Sequence, residues 1–332
     1  MNRFGYYKAR DTGDAVAAAA AHAARAQFIA GGTNVVDYMK LDVLQPDRLV
    51  DINVLAKDVH GRIDVTSEGL HLGALVRMAE AQDHPDIKRD YPVIAESLML
   101  AASQQIRNMA SLGGNILQKT RCQYFRETSW PCNKRQPGSG CSALEGINRE
   151  HAVLGTSPAC IATYHGDFAQ ALIALDAIVS TAGPNGNRQI PFGQLHRLPG
   201  DTPEVETVLE PGELITSIDV PAGPHTRRSH YLKIRDRQSY QFAVASVAVA
   251  LDLDGDRVRD VRLALGGVAT VPWRSGEAEA VIRGNILDER LAAKAAEAAF
   301  AGAEPRQYNK FKVPAGKAAI VRALLEAKAM RI

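Results

Sequence analysis

The apolar and polar positions along the chain fall into three stretches with different periods. Residues 14–26 are rich in alanine with few breakers, which predicts a helix. Residues 26–30 then predict a short buried strand. It runs into Gly31-Gly32-Thr33-Asn34, and residues 35–41 predict a second helix. Residues 48–52 and 70–76 read as strands, with a hairpin suggested over 61–69. Residues 91–109 predict one long helix, with Ile94, Leu98, Ala101 and Ala102 on a single apolar stripe. It delivers the chain to Ser111-Leu112-Gly113-Gly114-Asn115. No helical or strand period survives from 120 to 146. A helix follows over 168–175, a strand over 177–180 and a turn at Asn185-Gly186. Residues 211–215 precede a further strand, and 221–225 form a plausible boundary. From 229 onward the pattern changes. Strands at 231–233, 243–253 and 260–265, with a turn at 254–256, lead to helices over 287–301 and 317–329. Strands followed by helices predict a separate α+β layer.

Composition narrows the class without naming it. At 332 residues the chain has room for two domains, and a hydrophobic content of 46% suits a globular core. A net charge of +2 argues against a dedicated nucleic-acid binder. The start, Met1-Asn2-Arg3-Phe4, lacks the apolar run of a signal peptide. Residues 15–24 are too few and too small-sided to span a bilayer, and no apolar run reaches eighteen residues. These features predict a soluble, intracellularly made protein without membrane insertion.

The aperiodic stretch carries the candidate chemistry. All four cysteines, Cys122, Cys132, Cys141 and Cys160, lie there, separated by nine, eight and eighteen residues. Arg121, Arg126, Lys134, Arg135 and Arg149 surround them. A long structureless loop inside a compact domain is usually functional or disordered. Four cysteines confined to it suggest that it is pinned. Two disulfides, a structural zinc or a [4Fe–4S] cluster would each use four cysteines. Zinc sites favour short Cys-x2-4-Cys knuckles, and none is present. That favours the cluster and leaves the other two open.

The two glycine pairs suggest a second site. Strand, glycine pair and helix start let backbone N–H groups approach a phosphate. A tight turn would use the same residues. Two such pairs together make one extended diphosphate ligand a better reading than either pair alone. Neither matches a dinucleotide or nucleotide-triphosphate fingerprint.

Taken in order, residues 28–34, Gln105-Ile106-Arg107-Asn108, Leu112-Gly113-Gly114-Asn115, Gly212-Glu213-Leu214-Ile215, Tyr231-Leu232-Lys233 and Leu265-Gly266-Gly267-Val268-Ala269 resemble the FAD-binding subunits of the xanthine dehydrogenase family of molybdenum hydroxylases. The resemblance covers nearly the whole chain. It is closest to the FAD subunits of periplasmic aldehyde oxidoreductases, whose extra loop holds a [4Fe–4S] cluster. Residues 120–122, 131–135 and 137–141 look like that loop.

The resemblance implies an α+β fold. A two-part FAD-binding domain of the vanillyl-alcohol-oxidase type, residues 1–225 with the cysteine loop at 116–166, would precede a smaller α+β domain at 226–332, similar to the C-terminal domain of carbon monoxide dehydrogenase flavoproteins. It further implies that Phe28, Ile29, Ala30, Gly31, Gly32, Thr33 and Asn34, with Ser111, Gly113, Gly114 and Asn115, wrap the FAD diphosphate. Ser103 and Asp167 would sit near sugar or ribityl hydroxyls, and Ile215 and Lys233 at the flavin end. Asp167 alone would read equally well as a helix N-cap, and Lys233 alone as a solvated strand residue. Cys122, Cys132, Cys141 and Cys160 would ligate the cluster. Substrate chemistry would belong to a large molybdenum subunit, with a small [2Fe–2S] subunit completing a heterotrimer, so no catalytic residue is expected here. Electrons would leave to an external acceptor other than NAD, because Tyr240 would lie over the flavin ring. It could equally be a strand residue packed on the core. The compartment would be the cytoplasm, or the periplasm by export with a signal-bearing partner. Three rivals stay open: a 4-hydroxybenzoyl-CoA-reductase-like subunit, a stand-alone flavin oxidase using His22, His71 or His151, and a zinc-stapled binding module.

Overall fold

The computed structural model describes residues 1–22 and 25–332, and builds them around three sheets. The first is a small parallel sheet of β1 (Gly5–Lys8), β2 (Ala26–Ile29) and β3 (Arg48–Asp51), in the order β1-β3-β2. Parallel neighbours need a crossover between them; helix Val35–Lys40 supplies the one from β2 to β3, and helix Thr12–Ala20 carries the chain from β1 to β2. Asp11 caps it by accepting from the Asp14 amide, and Ala15, Val16 and Ala19 face the sheet. This helix is shorter than the sequence predicts, and residues 23–24 of the expected helix lie outside the described residues.

The second sheet is antiparallel. It contains β4 (Ile63–Val65), β5 (Gly69–Gly73), β6 (Ile178–Gly183), β7 (Gly186–Pro191) and β8 (Leu214–Pro221), in the order β4-β5-β8-β6-β7. The chain leaves it after β5, runs through the helices and the cysteine stretch, and returns at β6. The third sheet, also antiparallel, joins β9 (Ser229–Ile234), β10 (Ala245–Asp254), β11 (Arg257–Gly266) and β12 (Trp273–Arg274), in the order β12-β11-β10-β9.

The two faces of β10 differ as a strand period of two requires. Val247, Val249 and Leu251 point into one core, shared with helices Glu289–Ala299 and Lys312–Ala329. Ala248 and Ala250 point into the other, where helices Pro92–Met99 and Phe168–Ala174 lie against the sheet. Small residues on that face let the helices come close. The C-terminal layer is thereby welded to the domain before it.

The structure corrects the helix expected over 91–109. It is two helices, Pro92–Met99 and Gln104–Met109. Ala102 takes the left-handed conformation (φ 47°), and Ser103 restarts the chain as an N-cap by accepting from the Ile106 amide. The apolar stripe is continuous across the break, so periodicity alone could not reveal it. Strands β1, β7 and β12 and helix Gly276–Ile282 had no sequence expectation. They are short or exposed, and they owe their geometry to neighbours.

Candidate functional site

A cleft opens between the parallel sheet and the second glycine pair, enclosing about 910 Å³ of atom-free space, part of it open to solvent. Phe28, Ala30, Gly31, Gly32, Thr33, Asn34, Ser111, Gly113, Gly114 and Ile215 line it, together with Tyr38, Ala74, Leu75 and Lys119. Among the described residues, the amides of Gly31, Gly32, Thr33 and Asn34 donate to no other protein group. Four unspent donors on one loop can receive an anion.

Gly31 is required by proximity: a Cβ there would stand 1.9 Å from the Met109 carbonyl oxygen. Gly32 is required by conformation, at φ 72°. The second pair works differently. The Gly113 amide donates to Ala74 O at 2.8 Å, and the Gly114 amide donates to Ser111 Oγ at 3.4 Å. A Cβ on Gly113 would press on Ala74 at 3.0 Å. This pair therefore lets two backbones approach, shaping the wall of the cleft. Asn115, which follows this pair, is not among the residues that line the cleft, and its buried Oδ1 has no partner among the described residues.

The remaining expected site residues form a second group around the helix break. Lys233 Nζ donates to Asp167 Oδ2 at 2.7 Å and to Leu100 O at 3.0 Å. Tyr231 Oη donates to the other Asp167 oxygen at 2.7 Å. Burial and the adjacent Asp167 charge hold the Tyr231 hydroxyl well above its ordinary pKa. Asp167 occupies an N-cap position, yet its side chain caps nothing. Lys233 is buried and not solvated. Ser103 lies three residues beyond Leu100, and Ile29 backs the Gly32 turn.

Tyr240 belongs to no strand. It is 55% exposed, with φ 51° and its carbonyl held by Arg237. Its neighbour Phe242 packs edge-on against His165, ring centroids 4.9 Å apart.

The cysteine stretch is irregular apart from the short helix Gln123–Arg126 and isolated bridges, among them Cys132 with Cys141 and Ser157 with Cys160. All four cysteines are free thiols and share one packed cluster with Tyr38, Tyr124, Phe125 and Ile161. As free thiols, Cys122 is pushed up to about 12 and Cys160 to about 11, both by burial. Yet a polar group reaches each of these two sulfurs. His151 Nε2 lies 3.1 Å from Cys122 Sγ, and the Ala162 amide donates to Cys160 Sγ at 3.4 Å. Sulfurs that are buried and also supplied with donors suit metal-bound thiolates, which coordination deprotonates outright. Among the described residues, no three His, Cys, Asp or Glu side chains converge on one metal ion. A cluster of four irons spreads its thiolates further apart than a single ion does.

Basic residues tie this stretch to the cleft. Arg121 donates to Tyr38 Oη and Asn34 Oδ1, and its guanidinium lies 5.1 Å from the Tyr38 ring centroid and 5.7 Å from that of Phe242. Burial lowers Arg121 to about 10, so it stays a cation at neutral pH. Arg126 pairs with Asp37 at 2.6 Å. Arg135 donates to the carbonyls of Tyr124, Phe125, Thr128 and Trp130. Sequence reasoning missed Tyr38 and the reach of Arg121. The available signals were their positions: Tyr38 is one helical turn beyond Asn34, and Arg121 directly precedes Cys122. His71, offered as a flavin-linking residue, instead pairs with Asp219 at 2.6 Å.

Comparison with known proteins agrees with this architecture. Residues 2–223 match the family described as the FAD binding domain in molybdopterin dehydrogenase. Residues 230–327 match the carbon monoxide dehydrogenase flavoprotein C-terminal domain. The chain is 44% identical over 331 residues to the aldehyde oxidoreductase FAD-binding subunit PaoB of Escherichia coli, covering 99% of each. It is 26% identical over 307 residues to the carbon monoxide dehydrogenase medium chain of Hydrogenophaga pseudoflava, covering 92% of this chain and 88% of that one. A solved carbon monoxide dehydrogenase from the same organism superposes with a TM-score of 0.77 at 26% identity, over 99% of this chain and 98% of that chain.

Proposed function

Because this chain belongs to the FAD-binding subunits of the molybdenum hydroxylase family, we propose that it is the FAD- and [4Fe–4S]-containing electron-transfer subunit of an aldehyde oxidoreductase. It works between a large molybdenum subunit, a small [2Fe–2S] subunit and an external acceptor. The observation that carries this reading is the docking of the cysteine stretch on the cleft. Arg121, next to Cys122, holds Tyr38 and Asn34 of the glycine loop. Two redox groups bound at these places would be neighbours in one rigid frame. Identity of 44% along the whole of an aldehyde oxidoreductase subunit supports the substrate class.

When bound, the flavin supplies two-electron and one-electron chemistry and the cluster one-electron chemistry. The protein's own residues bind, orient and exclude. The free amides of residues 31–34 receive the diphosphate, and Ile215 closes the cleft from β8. Asp167 and Lys233, locked together, offer fixed charge beside the helix break. The four cysteines supply thiolates to the cluster, and Arg135 holds the loop that carries them. Tyr240 stands exposed on a strained turn. From there it can cover the flavin face that nicotinamide would need, which supports an acceptor other than NAD.

The test is composition followed by assay. Anaerobically purified complex should contain FAD and about four iron and four acid-labile sulfide per chain. Zinc in their place would sink the cluster. The complex should oxidise aldehydes with oxygen or an artificial acceptor and leave NAD unreduced. Rapid NAD reduction would overturn the acceptor assignment.

A further inference from the structure

His151 is fixed from behind. Its carbonyl accepts from Asn309 Nδ2 at 3.2 Å, and the Ala152 carbonyl accepts from the same amide at 3.1 Å. Its own amide donates to Asn148 O at 3.0 Å. The Tyr124 ring lies alongside, centroids 6.1 Å apart. Nδ1 is buried and has no partner among the described residues, so Nε2 facing Cys122 Sγ at 3.1 Å is the ring's one polar contact. A neutral imidazole carries a single N–H. With the proton on Nδ1, the Nε2 lone pair would oppose the sulfur lone pairs. With it on Nε2, the ring donates to the sulfur. A thiolate at Cys122 therefore selects the Nε2–H tautomer. Nδ1 is then a buried acceptor with no partner among the described residues.

We propose that His151 is a positioning residue that donates an N–H···S hydrogen bond to Cys122 and raises the reduction potential of the cluster. The inference rests on the cluster reading above. One-electron reduction adds negative charge, part of which falls on the cysteine sulfurs. A donor aimed at one of them lowers the cost of that charge, and no proton need move. The four corners are unequal. Cys160 receives the Ala162 amide at 3.4 Å, a longer contact. Cys122 receives the imidazole and directly follows Arg121 in the chain.

The experiment compares wild type with His151→Leu, which removes the donor, and His151→Gln, which keeps an N–H. Each is purified as the whole complex. Iron and sulfide are counted, the cluster is titrated under paramagnetic-resonance detection, and isotope-labelled histidine is used to look for nitrogen coupling to the reduced cluster. Expected are a reduction constant about tenfold lower in His151→Leu, about 59 mV for a one-electron couple, and recovery of most of it in His151→Gln. Labelled wild type should show histidine coupling that both variants lack. Equal midpoints in three cluster-loaded proteins, or no coupling in wild type, would overturn the inference and leave the cluster standing. Wild type without iron would overturn the cluster itself. If His151→Leu loses its iron, the glutamine variant and the labelled wild type still decide.

Discussion

Lys233 and Asp167 form an ion pair 2.7 Å long in which both side chains are almost wholly withdrawn from solvent. It joins β9 of the C-terminal layer to the start of helix Phe168–Ala174 and, through Leu100 O, to the helix break. A buried pair need not stabilise relative to an apolar substitute, but removing one partner strands the other charge.

Lys233→Met should therefore destabilise the chain by about 3–5 kcal/mol. Adding Asp167→Asn to it should recover a large part of that loss. Denaturant unfolding of the four proteins closes the cycle. Additive losses would mean that the pair is not coupled.

Gly31→Ala should abolish flavin binding, since its Cβ would stand 1.9 Å from a backbone carbonyl that cannot withdraw. Gly114→Ala meets only the Ser111 hydroxyl, at 3.0 Å, and should keep its flavin with weakened affinity. Flavin absorbance per chain distinguishes the two. Equal occupancy would show that the first glycine loop is not the cradle.

Arg135→Lys should loosen the cysteine stretch. One guanidinium fork serves four carbonyls, and a lysine cannot reproduce that fork. Iron should be lost several-fold faster to a chelator, with flavin content unchanged. An unaltered rate of iron loss would assign the clamp no role.

Stability should fall as pH rises through the histidine range because of His230. Burial disfavours its charge, but hydrogen bonds and attraction to Glu96 and Glu326 more than offset this, and its pKa lies above the ordinary 6.5. A raised folded value means that the contribution is fully present below about 6.5 and disappears as pH passes the folded pKa. His230→Gln should flatten that part of the melting-temperature profile. A variant profile parallel to wild type would refute it.

Much of this protein is written locally. The glycine pairs, the confinement of four cysteines to one aperiodic stretch and the alternation of Val247, Val249 and Leu251 against Ala248 and Ala250 can be read residue by residue, because strand faces, turns and thiol chemistry depend on near neighbours. The same local signals hid the break at Ala102, whose stripe stays apolar on both sides, and strands such as β1 and β12, which exist only because β3 and β11 pair with them. Tertiary structure alone brought Arg121 to Asn34 across 87 residues and Lys233 to Asp167 across 66. It also separated the two glycine pairs, leaving the amides of one free and spending those of the other on Ala74 and Ser111. Such contacts carry no local signature: closing a long loop costs entropy that only slowly grows with its length, and the partner is chosen by what the assembled core leaves unpaired.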